Sequence, residues 1–509
     1  MPATAAPVPR RAGVAAALRE PHVRWLLLIT AAAAALRFAV LDASSYWLDE
    51  AFTILILKAP FGHALELIPD TESTPPLYYV LAWGWAKMLG TGEVGVRSLS
   101  ALFGIATVPF GYAAAARLVD RRTGLIVAAL LAFNPFLLWF AQEARAYALL
   151  VLLCTIAFHL FVLWLDERRT PTLAAWGIVS ALALATHYYA ALMIATELAW
   201  MLFAVPEARR RVALATIPVL AAGAALVPLA VAQRSNRLAV PLAEESSTVL
   251  RTLQVPKQFA VGFDAPAEIG LAVVCLALAL AGIALLAMRP SVQRDRVAPA
   301  AVVGIATLAI PILLAFVGFD YVSARYEVAG LVPLAICVAA GCAAPRARRA
   351  GLALAAALCA IWVGVVVADA ADPLLQTRAD WRGAAEAVGP VPPGGRAVVL
   401  TPAAGRKPFQ VYLPDAALLK RTAVSVGEVV LLSVRSSDEE SLAIKAQPAG
   451  TPAGFLPPGF AEVERKLTRT YALIRYRAPA PETVFLGGLS AGRLDPLPFV
   501  ALLQRSGRE

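Results

Sequence analysis

Four polar groups interrupt long apolar stretches of this sequence, and their side chains suit proton transfer and phosphate binding. A carboxylate can take the proton from a hydroxyl as a new bond forms. Guanidiniums can hold a phosphate whose charge grows as it leaves, and a partly dry site strengthens that interaction. The groups are Asp49-Glu50, Glu72 with Arg97, Glu143 with Arg145, and His187 with Arg325-Tyr326.

Three of these groups also have a structural explanation. The pair Asp49-Glu50 could cap a helix that begins at Ala51, because acids favour a helix N-terminus. The aromatic residues around the pair, in SSYWLDEAFT (44–53), favour a covered site instead. In the other groups, Glu143 and Arg145 could be an ion pair between helix ends, His187 a turn residue, and Arg325-Tyr326 an interfacial anchor.

A metal site is not predicted from these residues. Glu72 near His187 would permit a divalent ion, but two ligands do not complete a site.

The composition is that of an integral membrane protein. Of 509 residues, 59% are hydrophobic and only 16% are charged, well below the quarter that is usual in soluble domains. The net charge of +10 is spread over short clusters between apolar segments, which excludes a nucleic-acid surface. The five cysteines lie in or beside apolar segments and are interpreted as core residues.

Apolar segments of about 16–22 residues, each near the length that crosses a bilayer, recur along the first three-quarters of the chain. Because basic connections stay inside, the arginine-rich clusters orient them with the N-terminus in the cytoplasm. The clusters follow Asp120, Asp166, Pro206, Met288 and Pro345. Eleven spans are predicted, at 22–41, 96–117, 123–141, 146–165, 172–190, 191–206, 212–232, 267–288, 299–319, 326–344 and 350–369.

One apolar segment, TPPLYYVLAWGWAKMLG (74–90), is not counted as a span. Counting it would place every later arginine cluster outside, so it is predicted to lie at the outer interface, with Tyr78, Tyr79, Trp83 and Trp85 as belt aromatics. The first outer loop is therefore predicted to run over 42–95. The short connections 142–147, 186–190 and 321–328 and the loop 233–266 share that side.

After the last span the composition changes. The runs RAVVLTP (396–402), EVVLLSV (428–434) and RTYALIRYRA (469–478), with the short helix DWRGAAEAV (380–388), predict a small α/β domain over 371–478. An odd number of spans places it outside the cytoplasm. Trp381 and Arg382 are expected to dock it onto the membrane domain. The Pro/Gly-rich tail, 479–509, is predicted to pack poorly.

The motifs together resemble the C-fold glycosyltransferases, in particular the family 39-like branch with protein O-mannosyltransferases and lipid A aminoarabinose transferases. The resemblance covers roughly residues 22–390. It departs at Thr74, where mannosyltransferases carry His and aminoarabinose transferases prefer Lys, and the inserted lumenal domain of mannosyltransferases is not found. The motifs are WLDEAF, TPPLYY, GEVGVRSLSALFG, QEARAYAL, ALATHYYAAL, SARYEVAGLVPL and DWRGAAEAV.

The resemblance implies an inverting transferase that takes a sugar from a polyprenyl phosphate and passes it to an envelope lipid, glycan or protein. It implies a C-fold membrane domain over 22–370, a cytoplasmic segment 1–21, and a location in the cell membrane with the site outside. Asp49 matches the family's catalytic base and Glu50 its companion. Donor-phosphate contacts are expected from Arg97, Arg145, Arg325 and Tyr326, and substrate contacts from Trp47, Glu72, Tyr78, Glu143, Tyr147, His187 and Tyr188.

Two other functions stay open at this stage. A multi-span transporter or lipid flippase would place charged or broken-helix sites near the bilayer midplane and carry an internal repeat. No repeat is evident, and the ionisable residues gather at one boundary instead. A non-enzymatic envelope-assembly protein would leave the grouped carboxylates and arginines without a role.

Overall fold

The computed structural model describes residues 19–234, 247–371, 379–434, 456–491 and 498–505, and most of these are helical. Helices occupy all eleven predicted apolar positions. Residues 1–18 of the predicted N-terminal segment 1–21, residues 235–246 of the loop 233–266, and residues 492–497 and 506–509 of the tail 479–509 lie outside the described residues. The helices of the membrane part are α1 (Pro21–Phe38), α2 (Leu48–Lys58), α3 (Phe61–Thr71), α4 (Leu77–Leu89), α5 (Glu93–Leu118), α6 (Arg121–Phe133), α7 (Pro135–Ala141), α8 (Tyr147–Glu167), α9 (Thr170–Thr186), α10 (Ala190–Ala204), α11 (Arg209–Ala215), α12 (Ile217–Arg234), α13 (Thr248–Val261), α14 (Glu268–Ala284), α15 (Ser291–Asp295), α16 (Ala298–Ala315), α17 (Ala324–Glu327), α18 (Leu331–Cys342) and α19 (Arg348–Ala371).

The chain is a multi-pass membrane protein. Within the described residues, seven helical segments are long and apolar enough to cross a bilayer, and nine if each of two bent helix pairs is one span. The pair α6–α7 bends by 61° and the pair α10–α11 by 110°. Helix α9 is apolar but shorter than these.

The bend between α6 and α7 has a local cause. Pro135 has no backbone N–H and disfavours helical geometry in the residue before it, so α6 ends at Phe133. Asn134 then caps α7, because its side-chain oxygen accepts the N–H of Leu137 at 3.0 Å. Its amide nitrogen also donates to the carbonyl of Phe259 at 2.9 Å. The redirected chain leads into the short connection 142–147.

The arginine-rich connections meet at one end of the bundle. Arg117 and Arg296 both pair with Asp166, at 2.8 Å and 3.0 Å. Arg122 donates to the carbonyl of Arg348 at 2.8 Å. Arg289 pairs with Asp120 at 2.9 Å. Connections that are far apart in sequence, and that the charge pattern assigns to one side, therefore contact one another.

Helices α2, α3 and α4 form the first loop, 42–95. At 13 residues, α4 is about 20 Å long, too short to cross a bilayer. The prediction that Tyr78 and Tyr79 are interfacial belt residues is wrong, because both are buried. Tyr78 shares a hydrogen bond with Ser100 at 3.1 Å, and Tyr79 donates to Glu72. Each ring brings its hydroxyl to a polar partner inside the bundle.

The C-terminal domain is a six-stranded mixed sheet in the order β2-β6-β1-β3-β5-β4. Strands β1 and β3 are parallel, and the other neighbours are antiparallel. Buried apolar residues form one cluster on each face. The elements are α20 (Trp381–Val388), β1 (Arg396–Thr401), α21 (Arg406–Tyr412), β2 (Ala417–Leu418), β3 (Ala423–Val434), β4 (Ala461–Leu467), β5 (Tyr471–Phe485), α22 (Leu486–Ala491) and β6 (Val500–Gln504).

The tail boundary at 479 is corrected by the sheet. Strand β5 continues to Phe485, and β6 pairs with the central strand β1. Leu502 on β6 is fully buried. Prolines and glycines in this stretch suggested poor packing, but the apolar run Val500–Gln504 buries its side chains in the sheet. The domain therefore extends at least to residue 504.

The sheet domain docks onto the first loop through a polar contact around Glu93. Arg382 pairs with Glu93, and its Nη2 donates to the carbonyl of Asp42 at 2.9 Å. Tyr412 donates to Glu93 as well, and accepts the backbone N–H of Tyr46 at 2.7 Å. The docking role of Arg382 is confirmed. That of Trp381 is wrong, because its ring is buried within the sheet domain's own core.

Candidate functional site

The acidic pair stands in the first turn of α2. Glu50 accepts the backbone N–H of Trp47 at 3.4 Å, a contact that helps begin the helix. Adjacent residues on a helix point about 100° apart. Glu50 therefore turns into the bundle and is fully buried, whereas the Asp49 side chain keeps 28% of its surface exposed and lines a cavity. The two neighbours occupy different environments.

Glu50 and Arg97 form a buried, bidentate ion pair. Nε and Nη2 of Arg97 lie 2.8 Å and 2.7 Å from the two carboxylate oxygens. The remaining N–H groups of Arg97 donate to the carbonyls of Leu41, Ser44 and Ser45. All five donors of the guanidinium are used. The expectation that Arg97 binds a phosphate is therefore revised to a positioning role, and so is the companion role of Glu50.

Arg145 reaches the cavity beside Asp49. Its Nη1 donates to Glu72 at 2.5 Å and to the backbone carbonyl of Asp49 at 3.3 Å. Burial by itself would lower the pKa of Arg145, but Glu72 raises it well above its ordinary value, so the guanidinium is charged. Its Nε is buried without a hydrogen-bond partner among the described residues. Tyr79 holds Glu72 in place with a 2.6 Å hydrogen bond.

Arg325 also approaches Asp49. Its Nη1 lies 3.9 Å from a carboxylate oxygen of Asp49, and the side chain is 31% exposed. The next residue, Tyr326, stacks on Tyr189 with ring centroids 4.8 Å apart and also contacts the ring of His187. Arg145 and Arg325, 180 residues apart, thus both approach Asp49, the first at its backbone carbonyl and the second at its carboxylate.

His187 is the centre of an aromatic cluster. Its ring lies 5.6 Å from those of Tyr147 and Tyr326. Burial, with Arg145 adding to it, lowers the pKa of His187 to about 3, so the imidazole is neutral. Nδ1 accepts the backbone N–H of Tyr189 at 3.2 Å, which assigns the proton to Nε2. That Nε2 is buried and has no hydrogen-bond partner in the described part of the chain.

The other candidates differ in where they lie. Tyr188 donates to Gln233 at 2.8 Å, and Gln233 lines the cavity. Trp47 is half-buried at the start of α2, with a buried Nε1 that lacks a partner among the described residues. Glu143 is fully buried, and its backbone carbonyl accepts the N–H of Arg145. Tyr78 faces Ser100 inside the bundle and does not line the cavity.

The cavity has a volume of about 540 Å³, within the range of small-molecule sites. One wall is formed by the first loop together with Arg145 and Gln233. The other comes from the sheet domain, at residues 403–407. Arg406 and Lys407 on that wall were missed in the sequence. Their signal, the basic pair in GRKPF (405–409), is indistinguishable from an ordinary exposed basic pair until the domain is docked.

The described residues contain no group of three or more His, Cys, Asp or Glu side chains that could hold a metal ion.

Residues 73–232 match a family described as "Dolichyl-phosphate-mannose-protein mannosyltransferase". The resemblance to the C-fold glycosyltransferases is confirmed. The matched segment contains Arg97, Arg145 and His187, while Asp49 and Arg325 lie outside it. No curated protein sequence matches the chain significantly.

Three solved structures are similar to the chain. The first is ArnT from Cupriavidus metallidurans bound to undecaprenyl phosphate: 13% identity, 89% of this chain and 98% of that one, TM-score 0.43. The archaeal oligosaccharyltransferase AglB from Archaeoglobus fulgidus, in complex with an inhibitory peptide and a dolichol-phosphate, has 13% identity over 63% of this chain and TM-score 0.41. The chain spans 50% of the length of that protein.

The third is the protein O-mannosyltransferase Pmt1-Pmt2 complex of S. cerevisiae bound to its sugar donor. It has 15% identity over 48% of this chain and 35% of that chain, with TM-score 0.31. Because all three TM-scores are below 0.5, no residue role is transferred from these structures.

Proposed function

We propose that this protein is a membrane glycosyltransferase that moves a sugar from a polyprenyl-phosphate donor to a cell-envelope acceptor on the outer face of the membrane. The observation that carries the proposal is the position of Asp49. Its partly exposed carboxylate lines a cavity of about 540 Å³ that Arg145 also lines, and Arg325, which is not one of the lining residues, lies 3.9 Å from that carboxylate. A base for a hydroxyl and cations for a phosphate thus share one site.

In the proposed reaction, Asp49 is the general base. Its carboxylate takes the proton of the acceptor hydroxyl as the oxygen forms a bond to the anomeric carbon. The bond from that carbon to the phosphate oxygen breaks on the opposite face, and polyprenyl phosphate leaves with the electron pair. A single displacement of this kind inverts the anomeric configuration. The acceptor, a lipid, glycan or protein, contributes one hydroxyl.

Arg145 and Arg325 are proposed to bind the phosphate. Arg145 has a buried Nε with no hydrogen-bond partner among the described residues, and the one ion pair of Arg325 with a described residue is its 3.9 Å contact to Asp49. Both have donors available for the charge that develops on the leaving group. Arg97 has none, so we assign it, with Glu50, to holding the first loop against α5.

The aromatic residues are proposed to shape the remaining surface. Trp47, Tyr147 and Tyr326 can pack against the sugar or the first isoprene units, as aromatic faces do in apolar sites. The unpartnered Nε2–H of His187 can donate to a sugar hydroxyl. Tyr188 is proposed to act through Gln233, which it holds at the cavity wall.

We propose that the site lies on the outer side of the membrane, because the arginine-rich connections and the site residues belong to different sets of connections between the helices. The arginine-rich connections contact one another at one end, as expected for the cytoplasmic side. The candidate site is built from the intervening connections: 42–95, 142–147, 187–189 and 321–326. With the sheet domain docked on the first of these, we place the site and residues 379–505 outside the cell membrane. Eleven spans would satisfy this arrangement.

The test is transfer by the purified full-length protein from a panel of polyprenyl-phosphate sugars. One donor should lose its sugar to an envelope extract, and Asp49→Asn should abolish that loss while leaving the protein folded. Asp42→Asn is the matched control, because Asp42 is an exposed acid in the same loop outside the cavity. Full activity of Asp49→Asn would remove the assigned base, and no transfer from any donor would remove the proposed reaction.

A further inference from the structure

The candidate cavity is completed by a part of the chain that lies beyond the last apolar helix. Residues 403–407 precede and begin α21 in the sheet domain, and four of them line the same cavity as Asp49. Two carry positive charge, Arg406 and Lys407. Both are partly exposed.

The charges around the cavity do not balance. Glu72 is paired with Arg145, and Asp49 has Arg325 at 3.9 Å. In the described part of the chain, Arg406 and Lys407 form neither an ion pair nor a side-chain hydrogen bond. Two uncompensated cations in a half-enclosed space favour an anionic ligand, because a partly desolvated site strengthens the attraction.

Contacts at the two ends of α21 fix the position of Arg406 and Lys407. Tyr412, at the far end of α21, bonds to Glu93 and to the backbone N–H of Tyr46. Gly405 packs so closely on Trp381 that a Cβ there would lie 1.9 Å from the ring. Phe409 is fully buried between these anchors. The helix that begins with Arg406 and Lys407 is therefore held against the first loop at its Tyr412 end and against Trp381 of its own domain at its Gly405 end.

We propose that Arg406 and Lys407 bind the phosphate of the polyprenyl-phosphate substrate, so that the sheet domain supplies part of the donor site. This inference rests on the proposed function, since it names a second pair of contacts for the same phosphate. The chemistry recognised is a phosphate oxyanion. It can belong to the donor lipid or to a phosphorylated acceptor, and the donor is the assignment made here, because the pair shares its cavity with Arg145.

The experiment measures binding of a polyprenyl phosphate without any sugar, to the full-length protein in detergent. Wild type, Arg406→Gln/Lys407→Gln and Lys407→Arg are compared, with the uncharged polyprenol as the ligand control. Lys420→Gln/Arg421→Gln is the matched variant, because it removes two exposed cations of the same domain outside the cavity. Thermal unfolding of each variant checks that the domain stays folded.

The double Gln variant should weaken polyprenyl-phosphate binding at least about tenfold, as for loss of charge-assisted contacts. Lys407→Arg and the matched variant should bind within about twofold of wild type, and polyprenol binding should not change. Unchanged phosphate binding in the double variant overturns the inference. Weakened binding of a phosphorylated acceptor together with unchanged polyprenyl-phosphate binding also overturns it, by assigning the cations to the acceptor. Because no sugar is transferred in this assay, its outcome is separate from that of the Asp49 test.

Discussion

Glu50 and Arg97 form an ion pair in which both side chains are buried, at 0% and 1% exposure, and the next residue toward the N-terminus, Asp49, faces the cavity. Two adjacent acids thus have separate tasks. The buried one holds the first loop to α5, and the partly exposed one is the proposed base. This division underlies the first prediction.

Glu50→Gln should destabilise the protein strongly, because it leaves the charge of Arg97 buried without a counterion. We expect a loss of about 3–5 kcal/mol in the free energy of unfolding. Asp49→Asn should cost far less and should abolish transfer instead. Thermal unfolding and transfer are measured on both purified variants. If Asp49→Asn unfolds as readily as Glu50→Gln, the two acids share a structural role.

Arg145→Gln and Arg325→Gln should each weaken transfer from the lipid-linked donor. The expected cost is about 2–5 kcal/mol in kcat/KM, as for a partly desolvated charge pair. Arg121→Gln is the control, because Arg121 is an exposed arginine in a connection that is predicted to be cytoplasmic. Steady-state kinetics over a range of donor concentrations make the measurement. Wild-type kinetics in both variants would place the phosphate elsewhere.

The orientation of the protein in the membrane can be measured independently of sugar transfer. In a background free of the five native cysteines, Ser73→Cys should react with an impermeant thiol reagent added outside the cell. Arg210→Cys should react only after the membrane is opened. Both residues are exposed, so accessibility of the thiol depends on the side of the membrane alone. Labelling of the second site in intact cells contradicts the proposed orientation.

The sheet domain should lose stability in acid through Glu428. This buried carboxylate on β3 accepts hydrogen bonds from Arg396, Arg475 and Arg477. Burial alone would raise its pKa, but the three guanidiniums outweigh burial and lower the pKa below the ordinary 4.5. Because the pKa is lowered on folding, the stabilisation is present above pH 4.5 and is lost as the pH falls through the folded-state value.

The loss of stability in acid can be measured by hydrogen exchange of peptides from β1, β3 and β5 in the full-length protein. The rates are corrected for the intrinsic exchange rate at each pH. Protection should fall with pH below 4.5 in the wild type. Glu428→Gln should lower protection already at neutral pH and flatten the acid dependence, while Glu386→Gln, an exposed acid of the same domain, should change neither. An unchanged acid profile in Glu428→Gln would assign the effect to another group.

Some features followed from local sequence. Apolar length predicted a helix at every one of the eleven positions, and the turn-bounded runs around Val398 and Val430 predicted strands. The segment 74–90 was predicted not to cross the membrane, and the short length of α4 agrees with that prediction. Strand β6 was missed because five apolar residues between prolines and a polar end give no signal beyond that of a loop.

The sequence alone determined that the chain crosses a membrane, that it ends in a sheet domain, and that carboxylates and arginines gather in the connections of one side. Hydropathy and charge are properties of short segments, so they can be read without a fold. Only the tertiary structure decided that Asp49 and not Glu50 faces the cavity, that Arg97 has no free donor, and that Lys407 joins the site. Each of these outcomes depends on contacts with residues that lie tens to hundreds of positions away in the sequence. Charge allows several partners for each side chain, and the packing of the folded chain selects one of them.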